Sequence, residues 1–228
     1  MRVRKYYRYE LKYLINYHDY IILKNRLRNY MSLDPNAVEK GFYHVRSIYF
    51  DDYLNTSYYD KINGVLNRFK YRLRIYDFKD NPIKLEKKIK KGNFSTKIDF
   101  NISEEEYHLL GKKPDFLLEY HNEILNEVYL LLKYKGLRPV ILIDYLREPY
   151  YYRYGKVRIT FDFELHASNL VDDIFDKNIN LVNVLEKNKI IMEVKYEKFI
   201  PTVIKNILQN SRINMAISKY VLCRSIFM

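Results

Sequence analysis

Residues 68–75 read Arg-Phe-Lys-Tyr-Arg-Leu-Arg-Ile, charge and apolar bulk alternating without a break. Successive side chains of a strand point to opposite faces. A strand here therefore carries Arg68, Lys70, Arg72 and Arg74 on one face and Phe69, Tyr71, Leu73 and Ile75 on the other. Cations about 7 Å apart along such a face repel by roughly 2 kcal/mol per pair at an effective dielectric near 20. A fold tolerates that row on an open, salted surface, or needs it where an anion lies.

The same period recurs along the chain. Residues 6–15 alternate, with Arg8, Glu10 and Lys12 opposite Leu11 and Tyr13. Residues 83–89 place Lys84, Glu86, Lys88 and then Lys90 against Ile83, Leu85 and Ile89, with Lys87 out of pattern. In 156–164, Lys156, Arg158, Thr160, Asp162 and Glu164 oppose Val157, Ile159, Phe161 and Phe163; in 190–197, Ile191, Glu193 and Lys195 oppose Ile190, Met192, Val194 and Tyr196. Segments 42–50 and 140–145 are β-branched and aromatic, which also predicts strands. Asn63-Gly64 is a turn dipeptide leading into the cationic strand. Helices are predicted after Asp19 as cap, carrying Ile22, Leu23 and Leu27; after the capping-box pattern Ser103-Glu-Glu-Glu106, ending at Gly111; over 122–135, with Gly136 as terminator; and from Pro201 to about Cys223. The sum is seven or eight mostly antiparallel strands and about four helices. No repeat or Pro/Gly-rich linker divides the chain, so one domain over 1–228 is expected.

Composition sharpens this picture. Forty Lys and Arg against 28 Asp and Glu give a net charge of +12, so the expected partners are polyanions. The single cysteine, Cys223, excludes a disulfide framework, fits a reducing compartment and reads as a packing residue near a helix end. No apolar run reaches the ~18–20 residues of a membrane span, and the opening residues show no signal peptide. A cytoplasmic location is expected.

Two readings of the charged faces stay open on pattern alone. In one, a sandwich turns its polar faces to water, as many do. Strict alternation of three or four cations instead suits a concave basic surface. Several such faces closing together make a barrel with a charged interior and an apolar exterior under helices, the inverse of a small barrel filled by side chains. No Gly-rich phosphate loop and no zinc-type spacing of the five histidines is present. Glu10, Glu86 and Glu193 either neutralise neighbouring cations or ligate Mg²⁺ or Mn²⁺ beside phosphates. Nucleic acid is not expected, because the interleaved Phe and Tyr lie on the face opposite the cations, away from any bases they would stack on.

An ordered series of segments then carries a family resemblance: Arg-Tyr-Glu-Leu-Lys-Tyr (8–13), Val-Arg-Ser-Ile-Tyr-Phe-Asp (45–51), Arg-Phe-Lys-Tyr-Arg-Leu-Arg (68–74), Leu-Glu-Lys-Lys (85–88), Val-Arg-Ile-Thr-Phe-Asp (157–162), Met-Glu-Val-Lys (192–195) and Ser-Lys-Tyr (218–220). Together they resemble the VTC domain, the polyphosphate polymerase domain of the CYTH-like triphosphate tunnel metalloenzyme superfamily. The resemblance implies an α+β fold built on an antiparallel β-tunnel with a basic lining. It implies phosphate ligation by Lys12, Lys70, Lys88, Lys97 and Lys219, catalytic contacts from Arg72, Arg74, Arg147 and Arg158, and a metal on Glu193, joined by Glu10. The superfamily opens on Glu-x-Glu-x-Lys, and the first Glu is Arg8 here, one carboxylate fewer.

The expected activity is transfer of the ATP γ-phosphoryl group to phosphate, pyrophosphate or a growing polyphosphate, with Mn²⁺ or Mg²⁺ as cofactor. The alternatives are a triphosphatase in the same tunnel and a non-catalytic polyphosphate-binding module. Any export would need another chain, such as a membrane partner protein.

Overall fold

The computed structural model describes residues 8–92, 94–209 and 215–228. Tyr6 and Tyr7, expected at the start of the first strand, lie outside the described residues. In chain order the elements are β1 (Arg8–Asn16), α1 (Tyr17–Leu27), β2 (Ser32–Leu33), β3 (Tyr43–Asp51), α2 (Thr56–Ile62), β4 (Asn67–Tyr76), β5 (Ile83–Lys91), β6 (Phe94–Ile102), α3 (Glu104–Leu110), α4 (Phe116–Glu119), α5 (Glu123–Tyr134), β7 (Arg138–Tyr152), β8 (Val157–Ser168), β9 (Val182–Asn183), β10 (Lys189–Tyr196), α6 (Thr202–Leu208) and α7 (Lys219–Arg224).

Eight of the strands close an antiparallel barrel in the order β7-β3-β4-β5-β6-β1-β10-β8, sealed by pairing of β8 with β7. β2 and β9 are two-residue additions on β7 and β8. Alternation along each strand decides what faces in and what faces out. Tyr71, Leu73 and Ile75 of β4 join Leu85, Leu110, Leu117, Leu125 and Val128 in a core outside the wall, under α3, α4 and α5. Val157, Ile159, Phe161, Met192 and Val194 form a second outer core with Leu23 and Leu27 of α1 and Ile204 of α6. A third cluster joins inward positions, among them Val45, Ile143 and Ile191, to Tyr220 and Cys223 of α7. Cys223 is thereby fully buried, and burial pushes its thiol well above the ordinary value.

Local sequence explains most boundaries. Ser103 and Glu106 form the expected reciprocal capping box of α3. Asn122 caps α5, and Gly136 follows its end in the left-handed region at φ +67°. Lys87, out of pattern in the sequence, points outward with its Nζ 2.6 Å from Glu127 of α5 and over the Phe69 ring.

Several expectations change. The cap of α1 is Asn16, whose side chain accepts from the Asp19 N–H; Asp19 is a first-turn acid, as favoured near a helix N-terminus. There are seven α-helices among the described residues rather than about four. The helix expected from Pro201 to Cys223 is two, α6 and α7, with neither helix nor strand at 215–218; residues 210–214 of that span lie outside the described residues. Glu164 does not share the charged face of β8. It sits at φ +50° in a register shift opposite Tyr145, and this bulge turns Leu165 and Ala167 inward in its place.

Candidate functional site

The inward positions enclose a cavity of about 460 Å³. Eleven lysines and arginines line it against two glutamates, so the described lining is strongly cationic. β4 contributes Arg68, Lys70, Arg72 and Arg74; β5, Lys88 and Lys90; β1, Glu10 and Lys12; β10, Glu193 and Lys195; β7, Tyr145 and Arg147; β3, Tyr49; and α7, Lys219 and Tyr220.

Register brings the two carboxylates together. Glu10 pairs with Lys195 and Lys12 with Glu193 across β1 and β10. The Lys12 ammonium lies 2.7 Å from Glu10 and 2.9 Å from Glu193, bridging them. Glu10 also accepts from Lys88 at 2.9 Å and from Ser95 Oγ at 2.8 Å, while Glu193 holds Lys195 at 2.7 Å. Burial opposes charge on both carboxyls, yet Lys12 and its cationic neighbours hold them well below the usual carboxylate range. Burial likewise opposes the Lys12 ammonium, and the two glutamates more than restore it.

The arginines are held in different ways. Glu86, fully buried behind the lining, accepts from Arg72 Nε and also holds Lys97 at 3.1 Å; Arg72 Nη1 donates to the Tyr49 hydroxyl at 2.7 Å. Arg74 donates to Ser47 Oγ at 3.1 Å and to the Tyr145 hydroxyl at 3.2 Å. Arg147 forms a bidentate pair with Asp162 at 2.7 and 2.8 Å, and Lys219 reaches the same carboxylate at 2.5 Å. Burial raises the Asp162 pKa but Arg147 and Lys219 bring it down to about 2. Lys70 donates to Ser218 Oγ at 3.2 Å and lies 4.3 Å from the Tyr220 ring centroid. Burial, with Lys88 and Arg68 beside it, pulls its pKa down to about 7. Burial also lowers that of Lys195, to about 8, despite Glu193.

The expected residues therefore divide. Lys12, Lys70, Lys88, Lys219, Arg72, Arg74, Arg147, Glu10 and Glu193 meet at one cavity. Lys97 stays outside it, bound to Glu86 and to Asp99 at 3.3 Å. Arg158 is also outside, donating to Asp34 at 2.9 Å and to the Tyr43 hydroxyl at 3.0 Å. Sequence reasoning missed Tyr49, Tyr145 and the anchor Asp162 as site residues. Asp162 and Lys195 were legible as inward by parity alone; the tyrosines stand among 25 and carry no such signal.

Two buried carboxylates around one cationic centre fit a divalent ion that arrives with phosphate. Mg²⁺ and Mn²⁺ accept one or two carboxylates when phosphate oxygens complete the shell. Among the described residues no group of three His, Cys, Asp or Glu offers a protein-only cage.

A closed barrel with this lining is a tunnel-fold, triphosphate-binding enzyme. More particularly, the chain belongs to the VTC domain family, whose model matches residues 7–228. No curated protein matches it. Among solved structures it is similar to a proposed adenylate cyclase from Bacillus halodurans, at 16% identity and a TM-score of 0.54, covering 93% of this chain and 95% of that one. A protein from Pyrococcus horikoshii follows at 13% identity and a TM-score of 0.45, covering 94% and 97%. Identity this low speaks for the fold alone, and only the first of these two scores carries weight.

Proposed function

We propose that the chain is a polyphosphate polymerase that transfers the γ-phosphoryl group of ATP to phosphate, pyrophosphate or a growing polyphosphate and releases ADP. The observation that carries this reading is the surplus of cations around one cavity, far beyond what two lining glutamates neutralise. Phosphoryl transfer asks the protein for alignment and charge stabilisation more than for covalent chemistry. Arg72, Arg74 and Arg147 present planar forks suited to bidentate contact with phosphate oxygens. Lys12, Lys70, Lys88 and Lys219 act as point charges along the chain. Glu10 and Glu193 would hold the Mn²⁺ or Mg²⁺, which would supply positive charge against the negative charge that develops on the phosphates. Tyr49 and Glu86 orient Arg72, and Tyr145 and Ser47 orient Arg74, so the guanidinium planes are set before substrate arrives. Arg158 and Lys97, outside this cavity, serve at most as approach residues.

Incubation with ATP and Mn²⁺, followed by electrophoresis of the phosphate products, tests the proposal. Chains that lengthen as ADP accumulates are expected. Release of phosphate from tripolyphosphate with no chain growth would make the tunnel a triphosphatase, and tight polyphosphate binding without turnover would make it a binding module.

A further inference from the structure

One mouth of the cavity is built from two adjoining turns. Residues 63–66 lead from α2 into β4, and Gly92 turns β5 towards β6. The Gly92 N–H donates to the Leu66 carbonyl at 3.0 Å, and Asn67 pairs with Lys91, so the turns sit side by side. Lys61, Gly64, Arg68, Lys90 and Gly92 line the cavity, which places both turns on its rim.

The tips of this rim are apolar and in water. Leu66 is 69% exposed, Ile62 56% and Val65 38%, with Phe69 and Phe94 at 43% and 41% beside them. None of the five belongs to the three buried clusters. Around them stand Lys61, Arg68, Lys90 and Lys91, with Asp60 as the nearby acid. Burial and the neighbouring Arg68 and Lys12 hold the Lys61 ammonium below its ordinary value, the sign of a cation crowded by others.

We propose that this two-turn rim docks on the headgroup layer of an anionic lipid bilayer. The aliphatic tips enter the acyl boundary, and the cations meet lipid phosphates. Protruding aliphatic side chains ringed by lysine suit that interface. A protein interface would instead favour arginine and exclude lysine from its centre, whereas three of the four cations here are lysine. The inference is independent of which phosphoryl chemistry the tunnel performs.

Co-sedimentation of the purified chain with vesicles tests it, using phosphatidylcholine alone and phosphatidylcholine mixed with phosphatidylserine. Binding is expected to the mixed vesicles, to weaken with added salt, and to persist when tripolyphosphate fills the tunnel. The double variant Ile62→Ser, Leu66→Ser should bind about tenfold more weakly or worse, with an unchanged melting temperature because both side chains are exposed. Lys91→Ser should reduce binding to the mixed vesicles only. The proposal is overturned if the serine pair binds as the parent does, if pure lipid vesicles are ignored while native membranes with their proteins bind, or if tripolyphosphate alone abolishes capture. It is also overturned if the tips drive concentration-dependent self-association that the serine pair removes, which would assign the rim to a second copy.

Discussion

The two faces of the barrel wall treat charge differently. Outside, charges that sit beneath helices and loops meet an opposite charge: Lys87 with Glu127, Lys24 with Glu148, Arg46 with Asp144. That is what burial demands of an ion when nothing else will arrive to neutralise it. Inside, eleven lining cations share Glu10 and Glu193 in the lining and Glu86 and Asp162 behind it. The carboxylates fix particular cations in place, and the lining keeps a surplus of positive over negative side chains. The outer face thus carries the stability of the wall and the inner face its chemistry, and substitutions on β4 separate the two because adjacent residues belong to opposite faces.

The largest effect should come from Arg74→Ala. Arg74 is held by neutral hydroxyls of Ser47 and Tyr145, so its loss leaves no carboxylate stranded. Turnover should fall about a thousandfold, as for removal of a guanidinium that stabilises a transferring phosphoryl group, with little change in melting temperature. Near-normal kcat/KM in Arg74→Ala would remove the inner face from the chemistry.

Its neighbour Leu73 is the complementary test. This side chain is 2% exposed within the outer core. Leu73→Ala should cost about 2–5 kcal/mol in denaturant unfolding, while the protein that remains folded keeps its turnover. A thermally silent Leu73→Ala would reverse the assignment of faces.

Arg72 lies between these cases. From the sequence, removing one of several crowded cations relieves repulsion and raises the melting temperature. The structure reverses that sign, because Arg72 is the main partner of fully buried Glu86. Arg72→Ala should therefore lose activity and also about 1–3 kcal/mol of stability, since the carboxylate keeps only its ion pair with Lys97 and the longer-range charge of Arg74. Arg72→Ala combined with Glu86→Gln should recover part of the stability and none of the activity. Additive stability losses would mean that the two side chains are not coupled.

What the sequence made legible follows from period. A two-residue alternation states which side of a wall each side chain occupies, so the cationic face of β4 and the parity of Glu10, Lys12, Glu193 and Lys195 were readable residue by residue. Periodicity does not state where along a tunnel a side chain lies. Arg158 and Lys97 have inward parity yet meet Asp34 and Glu86 rather than the cavity. The bulge at Glu164 was equally invisible, since nothing in Phe-Glu-Leu marks a positive φ. Short helices such as α2, with no buried residue, carry no amphipathic stripe to read.

The finest difference between the faces concerns protons. Burial first, and then Lys88, Arg68 and Lys61 against Asp51, pull the Lys70 pKa down to about 7. An ordinary lysine titrates near 10.4. At pH 8 the empty tunnel therefore holds Lys70 mostly neutral. An arriving triphosphate places negative charge beside it, favours the ammonium and draws a proton from solvent. Calorimetric titration with tripolyphosphate at pH 8, in buffers of different ionisation enthalpy, should show net proton uptake of about one per site or slightly more, Lys70 supplying the larger share and Lys195 the smaller, shrinking as the pH falls below 7, where both are already charged. Lys70→Met should remove most of that uptake. Outer-face Lys87, paired with Glu127, is the control: Lys87→Met should leave the uptake unchanged. Uptake that survives in Lys70→Met would belong to another group, Lys195 first, whereas uptake that is absent in the parent would mean that the inner cations are fully charged before the ligand comes. The inner face would then be preassembled for a polyanion rather than recharged by one.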